Sequence, residues 1–448
     1  MPKSTNVRDP IHGMISLSRA EWQAIDTPIF QRLRRVRQLA MTHLVYPGAL
    51  HTRFEHSIGV RHIAGRLSES LDFTAEEAAV IKTAALLHDI GHGVFSHVSE
   101  QVIDDLSGAE GVHEAVSVAI MRTDSALHAA LGRDLCEEAA VIVGLEESRT
   151  AMRDVVSGPT DADKLDYLLR DSHFAGVNYG RYDLDRIIDT ARVIAPSSAQ
   201  SQLGFDADGL WAVEEMRMAR HHMHRQVYGH KTRLATDIMA TRALRLAISS
   251  EVLSETGFKV PVVDGQPRIE ENFLEAYLAH TDADVLETLC GAPQGPVRDL
   301  GERLRDRRLL RQTASIRLDQ EIDQLGDARV ALILDPDEFT RDRIEVIEQS
   351  IAADLGLDPH LVAIYLDART NPTYRTPGRP IGPKDIMIQR GNGEPLLMER
   401  ESEIFREGAA PDLSWIHLYT PCLNSADPTD TALDEKARGL LWTALKDL

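Results

Sequence analysis

A histidine stands next to an aspartate at His88-Asp89, in the segment ALLHDIGHGVFSH, and His92, His97 and His113 follow closely. Imidazole beside carboxylate is a donor pair for a divalent cation. The mixed set suits Mn, Fe, Zn, Co or Ni, and carboxylate with water also admits Mg. Neighbouring side chains on a regular helix diverge by about 100°, so the pair can share an ion only near a helix end. Gly91 and Gly93 supply that ending. His56, in RFEHSIGV, offers a further donor from an earlier helix, and Asp163, in DADKLDYLLRD, another from a later one. Positions then stay open for water and a phosphate oxygen, as a catalytic site requires. A lone His-Asp pair arises by chance; this local density among only 18 histidines argues for chemistry.

Cations and hydroxyls flank these donors. Arg53 lies one helical turn before His56, and Lys164 directly follows Asp163. On a helix, Lys164, Tyr167 and Asp171 form one stripe, and Arg220, His224 and Tyr228 form another. An arginine fork grips phosphate, and a carboxylate such as Asp171 suits a sugar hydroxyl. Taken singly, each is an ordinary solvated charge, or an ion pair such as Lys164 with Asp161 or Asp171. Taken together they describe a phosphate-and-sugar pocket beside a cation.

The elements that must position these residues read as mainly α. Residues 1–50 mix Pro and Gly turns with a basic helical stretch, Ile29 to Leu39. Residues 51–327 read as a helical core with an extension. Within it, the helix after Thr74-Ala75-Glu76-Glu77 opens with a capping box and carries the apolar face Val80, Ile81, Ala84, Ala85, Leu87. The Arg-rich stretch Arg298 to Arg317 also reads as helical, and its interrupting acids make it a subunit contact or a solvated face. Residues 328–448 read as a small α+β module. Strands are expected at Arg329–Asp335, His360–Asp367 and Ser414–Thr420, helices at 338–354 and from about 431, and a hairpin over 385–398.

Composition closes off other classes. The net charge of −21 disfavours an extended nucleic-acid surface. Cys136, Cys290 and Cys422 are scattered and form no metal or redox motif. No apolar run approaches the about 20 residues needed to span a bilayer, and MPKSTNVRDPIHG has no apolar signal region, so a cytoplasmic location is the expectation.

Seven segments, in order, resemble the HD-domain deoxynucleoside triphosphate triphosphohydrolases and their bacterial dGTPase-like relatives. They are DPIHG (9–13), DTPIFQRLRRVRQL (26–39), YPGALHTRFEHSIGV (46–60), HDIGHGVFSH (88–97), VHE (112–114), DKLDYLLRDS (163–172) and Arg220 through Lys231. The resemblance covers about residues 8–235 and implies an HD-domain helical core. It implies one divalent metal on His56, His88, Asp89 and Asp163. It implies catalytic roles for His92 near the attacked phosphate, His97 at the leaving oxygen, and His113 paired with Glu100, where the family has Asp. Arg53, Lys164, Tyr167 and Arg220 would bind triphosphate; Gln38, Leu39, Asp171 and Tyr228 would enclose the sugar, with His224 near sugar or base. The implied reaction is water attack on the α-phosphorus of a dNTP, releasing nucleoside and triphosphate. A guanine-nucleotide activator site would use Asp26, Gln31 and Arg34, with Thr5 replacing a basic residue. At a second activator site Arg186, His230 and Lys231 remain, but Asp206, Asp208 and Gln226 replace basic residues. Carboxylates there repel triphosphate, so constitutive activity or activation by one nucleotide is expected. A homo-oligomer, dimer or tetramer, is implied. Other HD phosphohydrolase substrates and a low-turnover nucleotide sensor are the alternatives.

Overall fold

The computed structural model describes residues 5–144, 150–195, 201–369, 374–375, 385–391, 393–407, 413–422 and 431–448. The chain opens with a hairpin, β1 (Thr5–Asp9) and β2 (Gly13–Leu17), closed by Gly13 at φ +73°. It precedes α1 (Arg19–Ile25). The stretch expected to be helical from Ile29 to Leu39 is instead two short turns, Pro28–Gln31 and Arg32–Arg35, followed by extended chain. Tertiary pairing wins there: Gln38 N–H donates to the His51 carbonyl and Arg53 N–H to that of Val36.

Next come α2 (Arg53–Ser70), α3 (Ala75–Leu87), α4 (His97–Ser107), α5 (Val112–Thr123), α6 (Arg133–Val143) and α7 (Ala162–Ala175). The expected capping box starts α3: Thr74 accepts from Glu77 N–H at 3.2 Å, and Glu77 accepts from Thr74 N–H at 2.9 Å. Asp161 caps α7, accepting from Lys164 N–H at 2.8 Å. After strands β3 (Ala191–Ile194) and β4 (Gln202–Asp206), α8 (Leu210–Met223) runs into a wider π turn, His224–Tyr228, and then α9 (Lys231–Ser249).

The C-terminal part departs twice from expectation. Helix α10 (Pro296–Arg305) is followed by a break at Arg307, whose φ is +57°, and Arg311 and Arg317 lie in strand β5 (Arg311–Arg317). The strand expected at Arg329–Asp335 is instead most of helix α11 (Asp327–Leu334); only Val330 and Ile333 are buried, one helical face. Helix α12 (Arg341–Leu355) and strands β6 (Ala363–Arg369), β7 (Met387–Gln389), β8 (Leu396–Leu397) and β9 (Leu413–Thr420) follow, then α13 (Ala432–Lys446). The expected hairpin is β7–β8, although Asn392 in its turn lies outside the described residues.

Strands β5, β9 and β6 make an antiparallel sheet in that order, with β9 central. Strand β7 pairs in parallel with β4 of the helical core, giving the order β8-β7-β4-β3. Leu361, Ile386, Ile388, Met398, Phe405 and Tyr419 join the main apolar core, while a smaller core lies under β5, β9, α12 and α13. The module is thus bound to the helices by a shared sheet and a shared core. Among the described residues, no helix is long and apolar enough to cross a membrane.

Candidate metal and phosphate site

Three helices deliver the donors. His56 sits one turn into α2, His88 caps the end of α3, and Asp163 lies in the first turn of α7. Ligand atoms of His56, His88 and Asp163 all lie within 4.8 Å of one another. His56 Nε2 is 3.1 Å from Asp163 Oδ1, and His88 Nε2 is 3.7 Å from the same oxygen. Both Nε2 atoms are buried and make no hydrogen bond. The two rings lie 5.3 Å apart, centre to centre. Two buried imidazole nitrogens without hydrogen bonds, both close to one carboxylate oxygen, fit a divalent cation. Asp89 stands at the edge of this set: its Oδ1 is 3.2 Å from His88 Nε2 and its Oδ2 is 3.6 Å from His56 Nε2. Arg53 also pairs with that Oδ2.

Electrostatics follow from this crowding. Burial works against a charged His56, but the carboxylates of Asp163 and Asp166 outweigh it and push its pKa up to about 10. Burial likewise opposes the charge on His88, and Asp89 and Asp163 raise it. Asp89 and Asp163 are held below the usual carboxylate range: against burial, Arg53 and His88 lower Asp89, and His56 and His88 lower Asp163.

A second cluster lies beyond Asp89. Glu100 lies 2.7 Å from His92 Nδ1, 2.8 Å from His97 Nδ1 and 2.9 Å from His113 Nδ1, but of the three only the His97 contact is a hydrogen bond; His92 Nδ1 and Glu100 Oε1 are buried without one. The His92 and His113 rings stack at 4.0 Å and 16°, and ligand atoms of His92, Glu100 and His113 also lie within 4.8 Å of one another. Burial and the Arg53 cation push His92 down to about 4, leaving it neutral at pH 7. Burial opposes the charge on His113, but Glu100 raises it to about 9, while His113 and His92 hold buried Glu100 well below its ordinary value. His97 is 69% exposed and faces the cleft. Helix α3 ends at Leu87 and a tight turn carries His92, so His88 and His92 share no helical face.

That cleft is a cavity of about 590 Å³, lined by Gln38, Leu39, His97, Tyr167, Asp171, Arg220, His224 and Tyr228 among others. Pockets for small organic ligands span about 300–1,000 Å³. Asp171 accepts from Tyr228 Oη at 2.6 Å and meets His51 Nε2 at 2.8 Å. Arg220 Nε donates to Tyr167 Oη at 3.3 Å. Lys164 is bound to Asp161 at 2.6 Å, the ion pair that its spacing had offered as the plain alternative. Burial opposes the charge on Lys164, but Asp161 and Asp163 push its pKa up to about 12. Arg53 Nε donates to Ser96 Oγ at 2.8 Å, tying the metal side to the cavity wall. Its Nη2 and the Oε1 of Gln38 are buried without partners. Ala40, Phe95 and Ser96 line the cavity with φ of +46°, +56° and +51°; such backbone costs about 1–3 kcal/mol per residue and gathers at functional sites.

Sequence reasoning missed His51, Ser96 and Asp166, and the strand residues Tyr365, Leu366 and Asp367 that close the cavity from the C-terminal module. A larger cavity of about 960 Å³ adjoins it across Arg233, Asp237 and Tyr365. There Arg233, Arg242, Arg245 and Arg341 each meet a carboxylate, so no free cation awaits a phosphate. At the expected activator positions, Arg34 donates to Gln31 at 2.9 Å and Asp26 is exposed. Arg186 donates to the Asp208 carbonyl at 3.1 Å, and Arg192 pairs with Asp206 at 2.6 Å.

Residues 53–153 match the family model described as HD domain. An uncharacterized protein of Methanocaldococcus jannaschii is 37% identical over 238 residues, 53% of this chain and 49% of the relative. A deoxynucleoside triphosphate triphosphohydrolase of Gallus gallus is 30% identical over 318 residues, 63% of this chain and 51% of the relative. The chain spans about half the length of the curated relatives it matches. A crystal structure of a phosphohydrolase from Bacteroides thetaiotaomicron shares the fold, with a TM-score of 0.70 at 24% identity over 93% of this chain and 100% of that one.

Proposed function

Residues 53–153 are an HD domain, and from that premise we propose that the protein is a metal-dependent hydrolase of deoxynucleoside triphosphates. The observation that carries the reading is the pair of buried, partnerless imidazole nitrogens, His56 Nε2 and His88 Nε2, facing Asp163 beside a nucleotide-sized cavity. The similarity to dNTP triphosphohydrolases supports the substrate class. His56, His88 and Asp163 would hold the ion with Asp89 completing the set; when bound, the ion supplies Lewis-acid stabilisation of charge on a phosphoryl oxygen.

The chain's own groups do the rest. Arg53, Lys164, Tyr167 and Arg220 orient the triphosphate, with Lys164 swinging from Asp161 to reach it. Asp171, braced by Tyr228 and His51, takes a sugar hydroxyl, and Gln38, Leu39 and His224 enclose sugar and base. A water attacks the α-phosphorus and gives a proton to neutral His92 as the P–O5′ bond breaks. His97, held by Glu100, gives its proton to the departing O5′, and His113 keeps Glu100 ionised. The products are deoxynucleoside and inorganic triphosphate.

A panel of dNTPs and NTPs with Mn, Mg or Co, with products resolved by anion exchange, tests this. Metal-dependent release of triphosphate from dNTPs is expected. Release of monophosphate or diphosphate instead, or faster turnover of NTPs, would overturn it in favour of another nucleotide substrate. We further propose a homo-oligomer with constitutive turnover or activation by one guanine nucleotide near Asp26, Gln31 and Arg34. Asp206 and Asp208 argue against a second activating triphosphate. Titrating GTP into a dNTP assay measures this, and a requirement for two nucleotides would refute it.

A further inference from the structure

The N-terminal hairpin, DPIHG at its turn, has no part in the chemistry so far, yet it reaches the metal side of the core. His56 makes its second contact through Nδ1, 2.8 Å from Asp166 Oδ2, with both side chains fully buried. Asp166 is itself gripped from two directions. Arg170 donates to both its oxygens, at 2.7 and 2.9 Å, and His12 Nε2 meets Oδ1 at 2.6 Å. Arg170 also donates to Asp9 Oδ2 at 2.9 Å, and Asp9 Oδ1 receives the N–H groups of Ile11 and His12 at 2.8 and 2.9 Å. Hairpin turn, arginine and aspartate are therefore one hydrogen-bonded unit ending on His56.

Space has been left for that unit. A side chain at Gly59, one turn after His56 on α2, would collide with Asp166 Oδ1 and the Arg170 guanidinium. A neutral imidazole carries one N–H, and the partner of that N–H decides which nitrogen keeps its lone pair. Asp166 accepts only, so in the neutral, cation-binding form of His56 the proton belongs on Nδ1 and the lone pair on Nε2. His88 arrives at the same state by another route, through its Nδ1 contact with the Ala85 carbonyl at 2.8 Å.

We propose that the Asp9–Gly13 turn is a positioning element for the candidate metal centre: His12 and Arg170 clamp Asp166, and Asp166 fixes His56 with Nε2 free for the cation. The proposal rests on the metal reading above. Of the two imidazole donors, His56 alone has its orientation set by a side chain, and that side chain is anchored on a separate element that touches no substrate.

The test is Co²⁺ binding to metal-free protein, followed by calorimetry and the visible Co²⁺ spectrum, with metal-free Tm as the measure of folding. His12→Leu removes the clamp, His12→Gln restores a donor at the same reach, and Gly59→Ala displaces Asp166. Loss of such an outer hydrogen bond costs about 10–100-fold in metal affinity. That loss is expected for His12→Leu and Gly59→Ala, with an altered Co²⁺ spectrum and most of the affinity recovered in His12→Gln. Asp166→Asn is expected to follow His12→Leu; should it fail to fold, the hairpin variants still decide. Wild-type affinity and spectrum in folded His12→Leu, alongside lost binding in His56→Ala, would overturn the positioning role. Undiminished binding in His56→Ala would overturn the metal reading beneath it.

Discussion

Asp89 has three neighbours with claims on its two oxygens: Arg53 pairs with one, and His88 and His92 each approach the other at 3.2 Å. Removing it strips the cation site of a carboxylate and frees Arg53. Asp89→Ala should abolish turnover, checked by triphosphate release in Mn; full activity there would remove Asp89 from the site. Asp171 is held on both sides by His51 and Tyr228. Asp171→Ala should therefore cut the preference for dGTP over GTP, on the order of 10-fold, read as the ratio of kcat/KM values. An unchanged ratio would place the sugar elsewhere. These residues were legible because their types are unusual at their spacing: His beside Asp, and Lys, Tyr and Asp along one stripe. Asp166 was not, since an aspartate one turn before an arginine reads as a surface ion pair. Only the hairpin folding back from residue 12 makes it a buried hub. His51 was hidden for a related reason: its stacking on Phe174 and its bond to Asp171 join positions remote in sequence.

Elements carry constraints that no single side chain reveals. The turn after α3 lies so close to α5 that a Cβ at Gly91 would strike the His113 carbonyl and the Ser117 amide. Neither backbone group can yield as a side chain would. Gly91→Ala should thus destabilise the fold by about 1–3 kcal/mol in chemical denaturation, and an unchanged midpoint would contradict the packing. Acid acts on α2 through His62. Burial and the nearby His12 hold His62 down at about 4, against about 6.5 in an unfolded chain. Between those values the unfolded chain binds more protons, so this contribution is complete above pH 6.5 and is lost as pH falls towards 4. His62→Gln should flatten the Tm profile across that window, and an identical slope in the variant would exclude His62. Helix α3 was readable from its cap and periodicity, and α7 from the stripe of Lys164, Tyr167 and Asp171. The C-terminal elements were less so, because a short apolar run such as 329–335 fits strand or helix equally until its neighbours choose. Strand β5 exists only because β9 offers it an edge.

At the scale of the molecule, the cavity belongs to both ends of the chain. Helices α4, α7, α8 and α9, the π turn after α8 and the segments at 38–40 and 95–96 make most of its wall, and Tyr365, Leu366 and Asp367 of β6 close it. Tyr365→Ala should raise KM for the nucleotide several-fold while Co²⁺ affinity stays at the wild-type value. Equal losses in both would mean that the module supports the core rather than the ligand. Net charge and helix content predicted the class of molecule, but not this closure, because a strand's place in a wall is a property of the folded chain. The order of these parts along the backbone has a further result during translation. The cation donors end at Asp163, whereas the last stretch of wall emerges at 367 and its sheet partner β9 only at 413–420. A nascent polypeptide can therefore gather its candidate cation donors while the ribosome still has the far wall to make, and the cavity is complete only near the end of synthesis.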